Sequence, residues 1–116
     1  MAKHNKLGKE GALIAFMILQ RDKFTILETN WRFEKTEIDI IAQKDNLLIF
    51  TQVKTTRSNK FKKLSDSIEK NKITLYKKAV KNYLEQYPSE SEVRFDVVNI
   101  IIGKDETQIE HIPNAF

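Results

Sequence analysis

Apolar residues recur at helical spacing near the start of the chain and at strand spacing through its middle. From Leu7 to about Gln20, a 3.6-residue wheel gathers Leu7, Gly11, Ile14, Ala15, Ile18 and Leu19 into one broad stripe. Ala12 lies at its edge, and Lys6, Lys9, Glu10 and Gln20 fall opposite. Gly8 and Gly11 lower helix propensity, so their use here points to close packing of helix backbone on a sheet. Thr25–Trp31 reads as a strand. Glu37–Gln43 and Leu47–Thr55 alternate in the strand manner, and Lys44-Asp45-Asn46 between them suits a tight turn, which predicts a hairpin. Thr56 to about Asp66 is polar and basic, as a surface loop would be. A second helix runs from about Ser67 or Asn71 to Tyr87, with Ile73, Tyr76, Val80, Tyr83, Leu84 and Tyr87 as its inner stripe and Pro88 as its stop. Glu92–Ile102 predicts a long strand, nearly all apolar over Val97–Ile102 as a strand covered on both faces would be. Gly103-Lys104-Asp105 is a turn, and Gln108–Ile112 a short final strand.

The element order α-β-β-β-α-β-β places strands on both sides of a helix, which indicates an α/β fold with a central mixed β-sheet flanked by helices. With 116 residues and no repeat or linker, a single domain over 1–116 is expected. The balance of 41% hydrophobic and 31% charged residues fits a folded, soluble chain. The absence of cysteine excludes disulfides, thiol nucleophiles and Cys-ligated zinc, and His4 and His111 offer little for a zinc site. Any metal would be a hard cation held by oxygens, Mg2+ or Mn2+. The basic start followed by apolar Ala12–Leu19 superficially resembles a secretory signal. That run is too short to span a bilayer and leads into Gln20-Arg21-Asp22 without a small-residue cleavage site, so a cytoplasmic location is expected.

Net charge is +4, but its distribution says more. Residues 54–82 carry ten basic side chains, Arg57, Lys60, Lys62, Lys63, Lys70 and Lys72 among them, and two acidic ones; this segment is +8 and the rest of the chain −4. A lysine-rich solvated surface would account for such a run by itself. Its position directly after Lys54 favours a polyanion, and DNA is the expected partner.

The hairpin carries the chemistry. In alternating strands Glu37 and Asp39 share one face, as do Gln52 and Lys54. If these polar faces coincide, two carboxylates, a carboxamide and an ammonium meet on one side of a sheet. Surface acids paired with Lys54 or Arg57 are the plainer explanation. The alternative is a metal-dependent phosphodiesterase site, in which carboxylates hold a cation that activates water, and a lysine orients the water or stabilises the charged intermediate.

Glu37-Ile38-Asp39 followed by Gln52-x-Lys54 resembles the PD-(D/E)xK nuclease superfamily. More narrowly, the chain resembles the YraN-like, Holliday-junction-resolvase-like family of small bacterial proteins. The likeness covers essentially the whole chain, through Gly8-x-x-Gly11, Ile26-Leu27-x-x-Asn30, Glu37-Ile38-Asp39-Ile40-Ile41-Ala42, Phe50-x-x-Val53-Lys54-Thr55, Arg94-Phe95-Asp96-Val97-Val98 and Glu110-His111-Ile112-x-x-Ala115-Phe116. It implies a restriction-endonuclease-like core, with Glu37, Asp39, Gln52 and Lys54 at the catalytic positions and Asp39 and Gln52 as ligands to Mg2+ or Mn2+. It also implies branched or structured DNA as the substrate class. Holliday junction resolvases work as dimers, so a homodimer is an expectation as well, although no stripe marks an interface.

The chain departs from the family pattern at informative places. Gln52 stands where the family has glutamate, Ala12 where it has glutamate after the second helix glycine, and Thr36 where a glycine is usual. Glu10 is two helix positions from Ala12, about 200° around the axis, and is no obvious substitute. A carboxamide oxygen can ligate a metal but brings no charge. Three functions from different classes follow: a DNA-binding protein of nuclease fold with weakened or lost cleavage, an active endonuclease, and a protein-interaction domain whose lysines serve solubility. His111, Trp31, Tyr76, Tyr83 and Tyr87 are expected to pack or hydrogen-bond rather than to ligate or stack on bases.

Overall fold

The computed structural model describes residues 6–57 and 70–116, with Lys70 and Asn71 described in backbone alone. Helix α1 (Lys6–Arg21) leads into strands β1 (Thr25–Phe33), β2 (Thr36–Lys44) and β3 (Leu47–Thr56); helix α2 (Lys70–Gln86), β4 (Glu92–Ile102) and β5 (Thr107–Ile112) follow. The strands form one sheet in the order β1-β2-β3-β4-β5. All neighbours are antiparallel except β3 and β4, which run parallel. That exception follows from the chain: the connection carrying α2 returns β4 to the same end of the sheet, whereas the other strands are joined by short turns.

Each face of the sheet has its own apolar layer. Ala15 and Leu19 of α1 pack with Ile40, Ala42, Ile49, Val98 and Ile100 on one face. Ala79, Val80 and Tyr83 of α2 pack with Ile38, Ile41, Leu48 and Phe50 on the other. The apolar stretch of β4 therefore has the two covered faces that its sequence requires. Complete burial of a Leu or Ile side chain contributes about 1.5–3 kcal/mol, so these layers are the main source of cohesion.

Two local features fix α1 on the sheet. A Cβ on Gly11 would collide with Thr55 Oγ1 and lie 2.7 Å from its Cγ2, so only glycine lets the helix approach the end of β3 so closely. At the other end, Phe24 N–H donates to the Leu19 carbonyl at 2.9 Å and Lys23 N–H to that of Gln20 at 3.0 Å, the paired bonds of a left-handed helix stop. Lys23 takes φ 75° there without being glycine. Buried Phe24 closes the motif against Leu19 in the α1 layer.

Candidate functional site

The hairpin predicted from alternation forms, but it opens like a fork. Strands β2 and β3 pair from Lys44↔Leu47 up to Ile40↔Thr51, and no pairing follows beyond that point. At the next position Asp39 turns its carboxylate into the gap, where Oδ2 accepts the Val53 N–H at 2.7 Å. A side chain thus takes a bond that a continued ladder would have given to backbone. Asp39 is buried, and a hydrogen bond from an amide is the kind of compensation a buried carboxylate needs.

Strand β1 is irregular here too, with a register shift against β2 between Ile26 and Glu28. Asn30 adopts φ 54°, the left-handed region that asparagine tolerates better than most residues. On either side of it the facing changes. Ile38 and Ile41, three residues apart, both pack in the α2 layer, and Trp31 joins them. Strict alternation is therefore interrupted between Ile38 and Ile41. Glu37 is half-buried and lies opposite Arg32 of β1.

Strand β3 keeps its phase, being paired without interruption to β4 from Leu47↔Glu92 to Thr56↔Ile101. Phe50 is in the α2 layer, so Gln52 and Lys54 continue on that face. Gln52 also lines a small cavity of about 10 Å³ with Ile38, Tyr76 and Phe116. The Tyr76 hydroxyl titrates above its ordinary range, chiefly through burial and further through the negative charge of Asp39, which marks Asp39 as electrostatically close to this wall. Gln52 and Lys54 thus share the face of Phe50 on β3, and Asp39 stands at the fork, bonded to Val53 between them.

Of the basic residues, Arg57 follows β3 directly and pairs with Glu10 of α1 (Nη2 to Oε1, 3.8 Å), an exposed contact that solvent screens. The pair shows where Glu10 points: toward the end of β3, not onto the sheet. Lys72 is exposed at the start of α2. Lys60, Lys62 and Lys63 lie outside the described residues, as does the side chain of Lys70.

The oxygen donors can be weighed against a hard divalent cation, which takes six or more oxygen ligands with carboxylates to balance its charge. Asp39 brings one carboxylate, with one oxygen already holding Val53, and Gln52 brings a neutral carboxamide. Ala12, half-buried on α1, contributes a methyl group. Among the described residues no group of three or more His, Asp and Glu converges. A single negative charge is a poor match for Mg2+, and this donor set does not make a cage for it.

A second polar centre was not read from the sequence as a unit. Asp96, fully buried on β4, accepts two hydrogen bonds from Arg94, from Nε to Oδ1 and from Nη2 to Oδ2, both 2.8 Å. His111 Nε2 lies 2.7 Å from Oδ2, and Asn114 N–H donates to Oδ1 at 3.2 Å. Burial by itself would raise the Asp96 carboxyl, but the bonds from Arg94, His111 and Asn114 outweigh it and hold the group below the usual carboxylate range. The Arg94-x-Asp96 spacing, two residues apart on one strand face, was the available signal. A cleft of about 1050 Å³ opens beside this centre, with Lys23, Lys44, Glu92, Arg94 and His111 on its wall; it lies at the opposite end of β3 from Lys54 and carries mixed charge.

Of the aromatic residues, Tyr83 is buried as expected and meets Trp31 edge-on at 5.2 Å. Tyr87, placed on the inner stripe by its spacing, gives its N–H to the Tyr83 carbonyl at 2.8 Å and sets its ring 4.9 Å from that of Tyr83, yet is 50% exposed. No helix among the described residues is long and apolar enough to cross a membrane.

Comparison with known proteins gives a consistent result. The pattern of the uncharacterised protein family UPF0102 matches residues 12–100. A UPF0102 protein of Flavobacterium psychrophilum is 44% identical over 116 residues, covering 100% of this chain and 98% of the relative. One of Bacteroides thetaiotaomicron is 34% identical over 116 residues, with 100% and 96% covered. One of Syntrophomonas wolfei is 35% identical over 114 residues, with 97% and 99% covered.

Proposed function

The chain belongs to the uncharacterised protein family UPF0102, and from that premise we propose that it is a DNA-binding protein of nuclease ancestry whose metal-dependent phosphodiester cleavage is weakened or lost. This bacterial family is the YraN-like group within the PD-(D/E)xK nuclease-like proteins. The observation that carries the reading is the fork. Asp39 lies where β2 and β3 part, and Gln52 and Lys54 stand on one face of β3 beside it. The basic segment begins immediately after β3. Asp39 and Lys54 are what phosphodiester chemistry would require; the neutral Gln52 and Ala12 are what would weaken it.

In this reading Arg57, Lys60, Lys62, Lys63, Lys70 and Lys72 contact phosphates of branched or otherwise structured DNA. If four to six cations engage, affinity for duplex should fall with salt at a log–log slope of roughly −4 to −5, from about −0.9 per phosphate. Replacing Lys60, Lys62 and Lys63 with Ala should flatten the slope. Titration of branched, single-stranded and duplex DNA in EDTA tests this. Salt-independent binding, or none at low salt, would leave a protein-interaction domain as the better description.

The chemical half of the proposal has its own test. Gln52→Glu with Ala12→Glu should strengthen Mg2+ or Mn2+ binding measured by calorimetry and raise cleavage, with Gln52→Glu contributing more because it stands at the fork. Robust cleavage by the natural protein, abolished by Asp39→Ala and by Lys54→Ala, would establish an active endonuclease instead.

A further inference from the structure

The segment after β5 reaches the candidate site. Beyond Ile112, which pairs with Val97, the chain stays beside β4 at Asp96 and Phe95. Asn114 takes φ 55° and gives its N–H to Asp96, and Ala115 N–H donates to the Phe95 carbonyl at 2.7 Å. These two bonds flank the sheet, one to a side chain on the α1 side and one to the backbone. They leave Phe116 on the α2 side, stacked on Tyr76 with ring centroids 5.6 Å apart and tilted on Phe95 at 5.2 Å. Phe116 and Tyr76 then close the same small cavity that Gln52 and Ile38 line.

Neither ring is among the fully buried core residues. Tyr76 is half-buried on α2, and Phe116 is half-buried after Pro113, Asn114 and Ala115. The α2 layer proper, from Ala79 to Tyr83, is complete without them. What they add is a wall between α2 and the outer half of β3, at the level of Gln52. Without Phe116, Tyr76 would lose its stacking partner on the β4 side.

We propose that Phe116 is a positioning residue for the candidate site: clipped to β4 by Asp96 and Phe95, it holds Tyr76 against the Asp39–Gln52 fork and so sets the wall along which a phosphodiester backbone is received. The inference rests on the DNA-binding reading for its last clause, but the positioning itself is independent of it. Phe116 carries no charge, so its effect is on fit and not on the salt slope.

The test uses the full chain without metal, with three variants, Phe116→Ala, Phe116→Leu and Phe116→Tyr. The Val53 amide, which donates to Asp39, and the Tyr76 ring are followed by NMR, and DNA affinity is measured at fixed salt and as a salt series. Phe116→Ala should shift both resonances and weaken DNA binding about fivefold with an unchanged slope. Phe116→Tyr, which keeps the ring, should restore both, whereas Phe116→Leu, which keeps volume without stacking, should not. Should Phe116→Ala fail to fold, the contrast between Leu and Tyr decides. Val53 and Tyr76 resonances that stay in place in a folded Ala or Leu variant would overturn the positioning role. Shifted resonances with undiminished DNA affinity would overturn its part in receiving the backbone. If the natural protein binds no DNA, the functional reading falls while the resonances still decide the positioning.

Discussion

Two buried aspartates in one sheet have been given opposite surroundings. Asp96 has no exposed surface and is held by a guanidinium, an imidazole and a backbone amide, all directed at its two oxygens. Asp39, 8% exposed, stands where two strands part, accepts the Val53 N–H of the lysine-bearing β3, and raises the titration of the Tyr76 hydroxyl through its charge. The first arrangement spends its hydrogen-bonding capacity on the fold. The second is built around a break in the ladder, which is where a sheet can present polar groups to something outside it. An acidic residue inside a strand is therefore ambiguous by itself; its partners distinguish a structural centre from a candidate site.

The sharpest way to break this contrast is to remove the charge at each position. Asp96→Asn leaves Arg94 opposite a neutral amide and removes one of two bidentate acceptors. It should cost about 3 kcal/mol, at the lower end for a broken buried pair, because Arg94 keeps 28% exposure. Chemical denaturation measures it, and a loss well under 1 kcal/mol would remove Asp96 from the structural side of the comparison.

Acid should reproduce part of that loss in the natural protein. The Asp96 carboxyl is lowered in the folded state, so its contribution is fully present above the unfolded value, about 3.9, and disappears as pH falls through the folded one. Stability measured from pH 6 downward should therefore drop below about pH 4, and Asp96→Asn should flatten that limb. An unchanged limb would show that other carboxylates govern acid unfolding.

Asp39→Asn should cost less stability than Asp96→Asn, because an amide oxygen can still accept the Val53 N–H, whereas Asp96 gives up a charged acceptor to Arg94. It should instead bring the Tyr76 titration closer to its ordinary range, since the Asp39 charge contributes to raising it. Ultraviolet titration of the tyrosines checks this. A large stability loss with no change in Tyr76 would make Asp39 another structural carboxylate.

Most of the architecture was legible in the sequence, because it follows from period. The α1 stripe from Leu7 to Leu19 became the helix Lys6–Arg21, and Glu92–Ile102 has the same bounds in both. The hairpin and its turn at Asp45-Asn46 followed from alternation and turn chemistry. At the candidate site the spacing of Gln52 and Lys54 was sufficient, since β3 keeps its phase against β4. The phase change between Ile38 and Ile41 was not legible. It shows only in the layer in which Ile38 and Ile41 pack, and period-2 reasoning treats each strand alone. The Asp96 centre escaped for a related reason: its members are separated in sequence, and only the pairing of β4 with β5 brings His111 beside Val98 and so within reach of Asp96.

The single parallel ladder has a consequence for the order in which the molecule is made. Pairs in the β1–β2–β3 meander close across two-residue turns, as Phe33 meets Thr36 and Lys44 meets Leu47. Every β3–β4 pair joins positions 45 apart, as Leu47 is from Glu92. Local closure is fast and distant closure is slow, because chain entropy is lost before the contact is made. The fork with Asp39 and Val53 thus belongs to the early, local part of the fold, and the wall made by Tyr76 and Phe116 to the late part. A nascent chain would carry the acidic fork before it could enclose it, so pulse-labelled hydrogen exchange should find the meander amides protected ahead of those in β4.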